Sequence, residues 1–135
     1  KTKTVITKQI DEFDKYYDQV FISITCSGTA TLEIAKRNIP QIIIYKLNYF
    51  SELILKSFVN VKFACILNIV SKKYIIPEVV NSNLTKKNLI SKFELLLNNK
   101  KSRNKQISDI NYYLPSIESN ESPYDISAKR ILKII

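Results

Sequence analysis

Val20-Phe21-Ile22-Ser23-Ile24, then Ser27-Gly28-Thr29-Ala30-Thr31-Leu32-Glu33, then Pro40-Gln41-Ile42-Ile43-Ile44-Tyr45 make up the stretch whose reading decides the fold. The first segment is β-branched and aromatic and reads as a buried strand, Val20 to Ile24. Ala30 to Arg37 holds good helix formers, and Asn38 and Pro40 close that helix. Gln41 to Tyr45 is an apolar, β-branched run bounded by proline, which is what a strand buried on both faces of a parallel sheet requires. Strand, helix and strand in so short a span make a right-handed βαβ unit.

Gly28 is the only glycine in the chain, and it falls on the turn between that strand and that helix. Such a turn offers free backbone N–H groups at the positive end of a helix dipole. It also lies outside the carboxyl ends of the strands, where open α/β sheets bind their ligands. Ser27, Thr29 and Thr31 add hydroxyl donors for phosphate oxygens. Glu33, one turn into the helix, is placed to accept hydrogen bonds from a sugar. The same residue types equally build a tight turn and a helix cap that bind nothing. Local chemistry leaves both readings open. The loop is not a Walker A motif, because no Lys-Ser/Thr follows the glycine at the required spacing, and it lacks the three glycines of the dinucleotide fingerprint.

Bulk properties narrow the classes. The chain has 135 residues, enough for one modest domain with a core, and 45% of them are hydrophobic, which excludes general disorder. No apolar run approaches the roughly 18 residues of a bilayer span, and no secretory signal is visible. Histidine is absent, and Cys26 and Cys65 have no metal-ligand spacing. A zinc site, a Cys–His nucleophile and a Ser–His–Asp triad are therefore excluded within this sequence, and no metal or cofactor is expected. Reduced cysteines suit a cytoplasmic protein. The formal charge is +9, mostly from lysine. Such a balance suits nucleic acid, anionic lipid or anionic substrates, or simply solvated faces in a Lys-, Asn- and Ile-rich composition. The lysines are dispersed and no arginine stripe, RNP-like motif or recognition helix accompanies them, so nucleic acid is not expected as a partner. The missing methionine and the opening Lys1-Thr2-Lys3-Thr4 read as a piece of a longer protein.

Elsewhere the chain reads as follows. Val5-Ile6-Thr7 is a short strand candidate, and Asp11 to Tyr17 a short helix with acids early. Asp11, Glu12, Asp14 and Asp18 read as a solvated helix face more readily than as a metal or acid–base site. Asn48 to Val59 carries an apolar stripe bordered by Lys46, Lys56 and Lys62, and Val61 to Leu67 reads as another strand. From Thr85 the sequence is helical, with Leu89, Ile90, Phe93, Leu96 and Leu97 on one face and an end at Asn98-Asn99. Lys101 to Tyr113 offers a second face through Ile107, Ile110 and Tyr113 or Leu114. Pro115 to Glu121 is a polar break. Ser122-Pro123-Tyr124-Asp125 is a capped helix start, followed by the apolar positions Ile126, Ile131, Leu132 and Ile135. Residues 1–82 are expected to form a partial α/β domain, and residues 83–135 helices that pack on it or on a second subunit.

The string Ser27-Gly28-Thr29-Ala30-Thr31-Leu32-Glu33, then Pro40 through Lys46, Val61-Lys62-Phe63, Asn68-Ile69 and Pro77-Glu78 resembles the lipid-A-disaccharide synthase family. Order and spacing match that family's succession from Val20 to Glu78, and more weakly through the C-terminal helices. The resemblance implies the C-terminal Rossmann-like half of a two-domain, B-type glycosyltransferase. Its architecture would be a short parallel sheet with flanking helices and a helical tail. It implies transfer of 2,3-diacylglucosamine from UDP-2,3-diacylglucosamine to 2,3-diacylglucosamine 1-phosphate (lipid X), giving UDP and the disaccharide of lipid A. Ser27, Gly28, Thr29, Thr31, Glu33 and Asn68 are the implied donor-binding residues, and the general base is expected in an N-terminal domain. A homodimer and a peripheral, cytoplasmic place at the anionic inner membrane of a Gram-negative bacterium are implied with them. The sequence departs from the family at Leu67, where proline is expected, and at Lys72-Lys73-Tyr74, where Gly-Arg-Glu is usual. A non-catalytic remnant or dimerisation module of a split synthase is the alternative those departures favour.

Overall fold

A computed structural model describes residues 15–47, 63–118 and 123–132. Its centre is a three-stranded parallel sheet of β1 (Ser23–Cys26), β2 (Gln41–Tyr45) and β3 (Glu78–Val80), in that spatial order. Ser23 pairs with Gln41 and Cys26 with Ile44, while Ile43 pairs with Glu78 and Tyr45 with Val80. Helix α1 (Thr29–Lys36) crosses from β1 to β2, and α2 (Ile66–Ser71) precedes β3. A 3₁₀ turn, Asn81–Asn83, then leads to α3 (Lys86–Asn98), α4 (Lys100–Tyr113), a further 3₁₀ turn at Leu114–Ser116 and α5 (Pro123–Leu132).

The central strand is buried as its composition requires: Gln41, Ile42 and Ile43 are all fully inaccessible. Alternation along it divides the core between the two sheet faces. Ile43 packs with Ala35, Cys65, Leu67, Ile75, Ile76, Ile110 and Leu114, on the face covered by α1, α2 and α4. Ile42 packs with Val79 and Leu96, lined by Leu84, Leu89 and Phe93, on the face covered by α3. Burying each such isoleucine contributes about 1.5–3 kcal/mol, so β2 is the strand the fold is least able to lose.

Local signals set the helix ends. Asn38, at φ 57°, takes the left-handed conformation that stops α1. Thr85 caps α3 by accepting from the Asn88 N–H at 3.2 Å, and Asn99 caps α4 by accepting from the Ser102 N–H at 3.0 Å. One asparagine thus separates two helices. Arg103 reaches back from α4 to the Leu96 and Leu97 carbonyls at 2.6 and 2.8 Å, satisfying the end of α3. It also lies over the Phe21 ring at 4.5 Å.

Two expectations are corrected, and one strand is added. The first strand runs from Ser23 to Cys26 rather than from Val20 to Ile24, because the Ser23 N–H bonds the Pro40 carbonyl where its partner strand begins. Phe21 lies before that pairing and is 55% exposed. In the described part of the proposed strand from Val61 to Leu67 there is no strand: Phe63 to Cys65 is irregular and Ile66 already opens α2. A tertiary carboxylate starts that helix, as described below, and no local propensity announces it. β3 was not expected, since three residues give too little alternation to see.

On the α3 face Leu96 is buried, whereas Ile90 and Leu97 are exposed. On α4, Ile110 and Leu114 are buried as expected, joined by Gln106. Lys36 of α1 pairs with Glu118 at 2.7 Å across the polar break after α4. Among the described residues no helix is long and apolar enough to cross a membrane. The readings for Val5-Ile6-Thr7, most of Asp11 to Tyr17, and Asn48 to Val59 fall outside the described residues.

Candidate functional site: the turn after the first strand

The carboxyl edge of the sheet brings together Ser27 to Ala30 after β1, Lys46 and Leu47 after β2, and Asn81 after β3. The gap between β2 and β3 is closed, because the Asn81 side-chain oxygen accepts from the Leu47 N–H at 3.0 Å. Asn81 adopts φ 51° to make that contact. The turn after β1 is open. Gly28 is the residue preceding α1, at φ 150° and ψ −163°, and it offers no side-chain cap. That φ lies in the region glycine tolerates and L side chains rarely adopt. An added Cβ there would meet nothing within 4 Å, so the glycine supplies conformation and the turn faces open space.

Gly28, Thr29 and Ala30 are exposed, and their N–H groups have no acceptor among the described residues. These are orphan donors at the positive end of α1. Glu33 is exposed one turn along the helix. The Thr29 hydroxyl is exposed at the first helical position.

Thr31 differs from its expected role. It is buried at 1% exposure, and its hydroxyl donates to the Gly28 carbonyl, shaping the turn from inside. Its own carbonyl accepts from the Gln41 side chain at 3.0 Å. Ser27 is half-buried, and its hydroxyl donates to the Ala64 carbonyl at 2.7 Å, while its N–H extends the β1–β2 pairing to Ile44 at 3.3 Å. The candidate residues therefore sort into two groups. Gly28, Thr29 and Glu33 face outward together; Ser27 and Thr31 hold the turn.

Asn68 stands apart from both groups. It is fully buried, and its amide is committed: Nδ2 donates to the Ile76 carbonyl at 2.8 Å and to Glu78 at 2.7 Å, and Oδ1 accepts from the Ile76 N–H at 3.0 Å. In this arrangement it fastens the loop from α2 to β3 and presents no free donor to the open turn. Lys72, at φ 55°, ends α2 in the left-handed conformation.

Glu78 is the residue that spacing did not single out for a role. Its carboxylate accepts from the Ala64 N–H at 2.8 Å, the Cys65 N–H at 2.9 Å and Asn68 Nδ2 at 2.7 Å. It is a resident anion at the start of α2, the kind of group that the start of α1 lacks. An acid right after proline, in a segment rich in Ile and Val, is the one local signal that pointed to it. Burial pushes the Cys65 thiol up, with the nearby Glu78 charge acting in the same direction and backbone hydrogen bonds opposing. Cys65 is therefore a core residue and no nucleophile.

A parallel sheet flanked by helices on both faces, with an open helix N-terminus at its carboxyl edge, places this chain in the doubly wound, Rossmann-like α/β class. A family model described as lipid-A-disaccharide synthetase matches residues 4–132. The chain belongs to that family. Among its relatives, the lipid-A-disaccharide synthase of Rickettsia prowazekii (strain Madrid E) is 37% identical over 120 residues, covering 87% of this chain and 31% of that protein. The protein of the same name from Rickettsia bellii (strain OSU 85-389) is 33% identical over 119 residues, covering 87% and 31%. That of Rickettsia conorii (strain ATCC VR-613 / Malish 7) is 40% identical over 89 residues, covering 64% and 20%. The chain thus spans about a third of the length of the first two relatives.

Proposed function

We propose that this chain is the donor-binding C-terminal part of a glycosyltransferase of lipid A biosynthesis. The reaction would move 2,3-diacylglucosamine from UDP-2,3-diacylglucosamine to lipid X, giving lipid A disaccharide 1-phosphate and UDP. The observation that supports it is the open turn: N–H groups at Gly28, Thr29 and Ala30 without an acceptor among the described residues, with Glu33 exposed one helical turn away. A departing UDP gathers negative charge on its phosphates, and donors already oriented by the fold stabilise that charge without reorganising. Glu33 would accept from the ribose hydroxyls and fix the register of the donor. Ser27 and Thr31 would act by holding the turn, and Asn68 by holding the loop beside it. The general base belongs to the part of the relatives that this chain does not span.

Isothermal calorimetry of UDP against the 135-residue chain and a Glu33→Ala variant tests the reading. Specific binding that weakens in the variant supports it. A folded chain that does not bind UDP refutes it.

A second reading, a dimerisation module without catalysis, draws on one observation. Tyr124, Ile131 and Leu132 of α5 are 86%, 58% and 73% exposed. A homodimer through that helix, at the cytoplasmic side of an anionic inner membrane, would bury them and use the +9 charge. Sedimentation of the wild type beside Leu132→Glu separates the two readings, since a dimer lost in the variant is independent of UDP.

A further inference from the structure

We propose that Glu78 is a positioning residue for the Gly28 turn, acting through the Ala64 peptide and the Ser27 hydroxyl. The chain of contacts is continuous. Glu78 takes the Ala64 and Cys65 N–H groups on separate oxygens, at 2.8 and 2.9 Å. Asn68, itself locked to Ile76 on both sides of its amide, holds one of those oxygens at 2.7 Å. The Ala64 peptide is thereby fixed, and its carbonyl receives the Ser27 hydroxyl at 2.7 Å. Ser27 is the residue immediately before Gly28, and its N–H is pinned to Ile44 on the other side.

The carboxylate therefore does two things. It neutralises the start of α2, so that an anion arriving at this edge finds α1 as the unoccupied helix end. It also holds the preceding residue of a turn that has no side-chain cap of its own. A glutamine in its place keeps one oxygen for Cys65 and Asn68 but turns an NH₂ group against the Ala64 N–H. Two donors then face each other, and the Ala64 peptide is released. The geometric part stands without a ligand; the effect on affinity rests on the proposed nucleotide site.

The chain has a single glycine, so ¹⁵N-glycine labelling gives one amide signal that reports the turn directly. Glu78→Gln and Ser27→Ala are each expected to move the Gly28 signal and to weaken UDP binding on the order of tenfold. The double variant is expected to lose no more than the worse single one, because both act on one path. Glu94→Gln, on the exposed side of α3, leaves signal and affinity in place. A folded Glu78→Gln with the wild-type Gly28 signal overturns the proposal, and so does Ser27→Ala without a shift. Where the glutamine variant does not fold, Glu78→Asp, which keeps the charge but withdraws it by one methylene, answers the same question. If UDP fails to move the wild-type signal, the nucleotide reading falls while the Gly28 shift still decides the role of Glu78.

Discussion

Replacing Gln106 by leucine should cost this chain a large share of its stability, although the side chain lies in a surface helix. The reason is at the start of β2. Alternate residues of a parallel strand bond to alternate neighbours. Ile43 bonds towards β3, through its N–H to the Pro77 carbonyl at 2.9 Å, and Gln41 points the same way. β3 begins only at Glu78, opposite Ile43, so on that side Gln41 has no strand to bond to. Gln106 fills that gap with its amide: its oxygen accepts the Gln41 N–H at 2.8 Å and its nitrogen donates to the Gln41 carbonyl at 3.0 Å. Both glutamines are buried, and Gln41 Oε1 is itself without a hydrogen-bond partner among the described residues. Gln106→Leu leaves two buried backbone groups unpaired at about 1–3 kcal/mol each, or roughly 2–6 kcal/mol in all. Urea unfolding followed by circular dichroism reads this as a midpoint lowered by about 1–3 M, taking an m-value near 2 kcal/mol/M. Gln106→Glu should do no better at neutral pH, since a carboxylate oxygen would then face the Gln41 carbonyl. It should recover as the pH falls and the acid regains a donor. A loss below about 0.5 kcal/mol in the leucine variant would refute the reasoning, because two orphaned buried groups cannot cost so little.

Gly28→Ala should lower stability by about 1–3 kcal/mol through backbone strain alone, as nothing lies within 4 Å of the added methyl. Any UDP affinity should fall with it; a thermal melt beside calorimetry separates the two effects. Lys72→Gly should raise stability by about 1 kcal/mol, because the residue sits at φ 55°, where a side chain is penalised and glycine is not. An unchanged urea midpoint would show that Lys72 is not held there in solution. A thiol reagent should titrate exposed Cys26 in the native chain and reach Cys65 only after unfolding. The thiol of Cys65 is raised in the folded state, so the folded chain holds that proton more tightly than the unfolded one. Its contribution is complete below the ordinary thiol range of about 8.5 and is lost as the pH rises beyond it. Alkaline unfolding compared with Cys65→Ala measures that slope.

The sequence showed what periodicity and punctuation can show. Gln41 to Tyr45 reads as a doubly buried strand because an unbroken apolar run has no polar face to expose, and both faces are covered. Helix ends at Asn38, Asn99 and Pro123 were legible because asparagine and proline act within one turn of themselves. The start of α2 was not legible. Ile66 to Ile69 is as β-branched as a strand, and the carboxylate that starts the helix is Glu78, a dozen residues away. Gln106 was passed over for the same reason, since a polar side chain on a helix looks solvated until its partner strand is known.

The candidate site divides along that line. Gly28 and Glu33 act where they stand, one by its backbone and one by its exposure, so a local reading found them. Asn68 was placed beside them by resemblance alone, yet its buried amide serves Ile76 and Glu78. The departure at Lys72 gains a physical sense from the same loop. Against the glycine that the resemblance leads one to expect at this position, a lysine at φ 55° carries a conformational penalty at the end of α2. Asn68 and Glu78 hold α2 and its loop from both ends, by five hydrogen bonds. With that network intact, the strained lysine need not disturb Ala64, and the Gly28 turn keeps the shape on which any anion binding depends. The stability gained by Lys72→Gly and the turn shifted by Glu78→Gln are therefore separable effects of one loop.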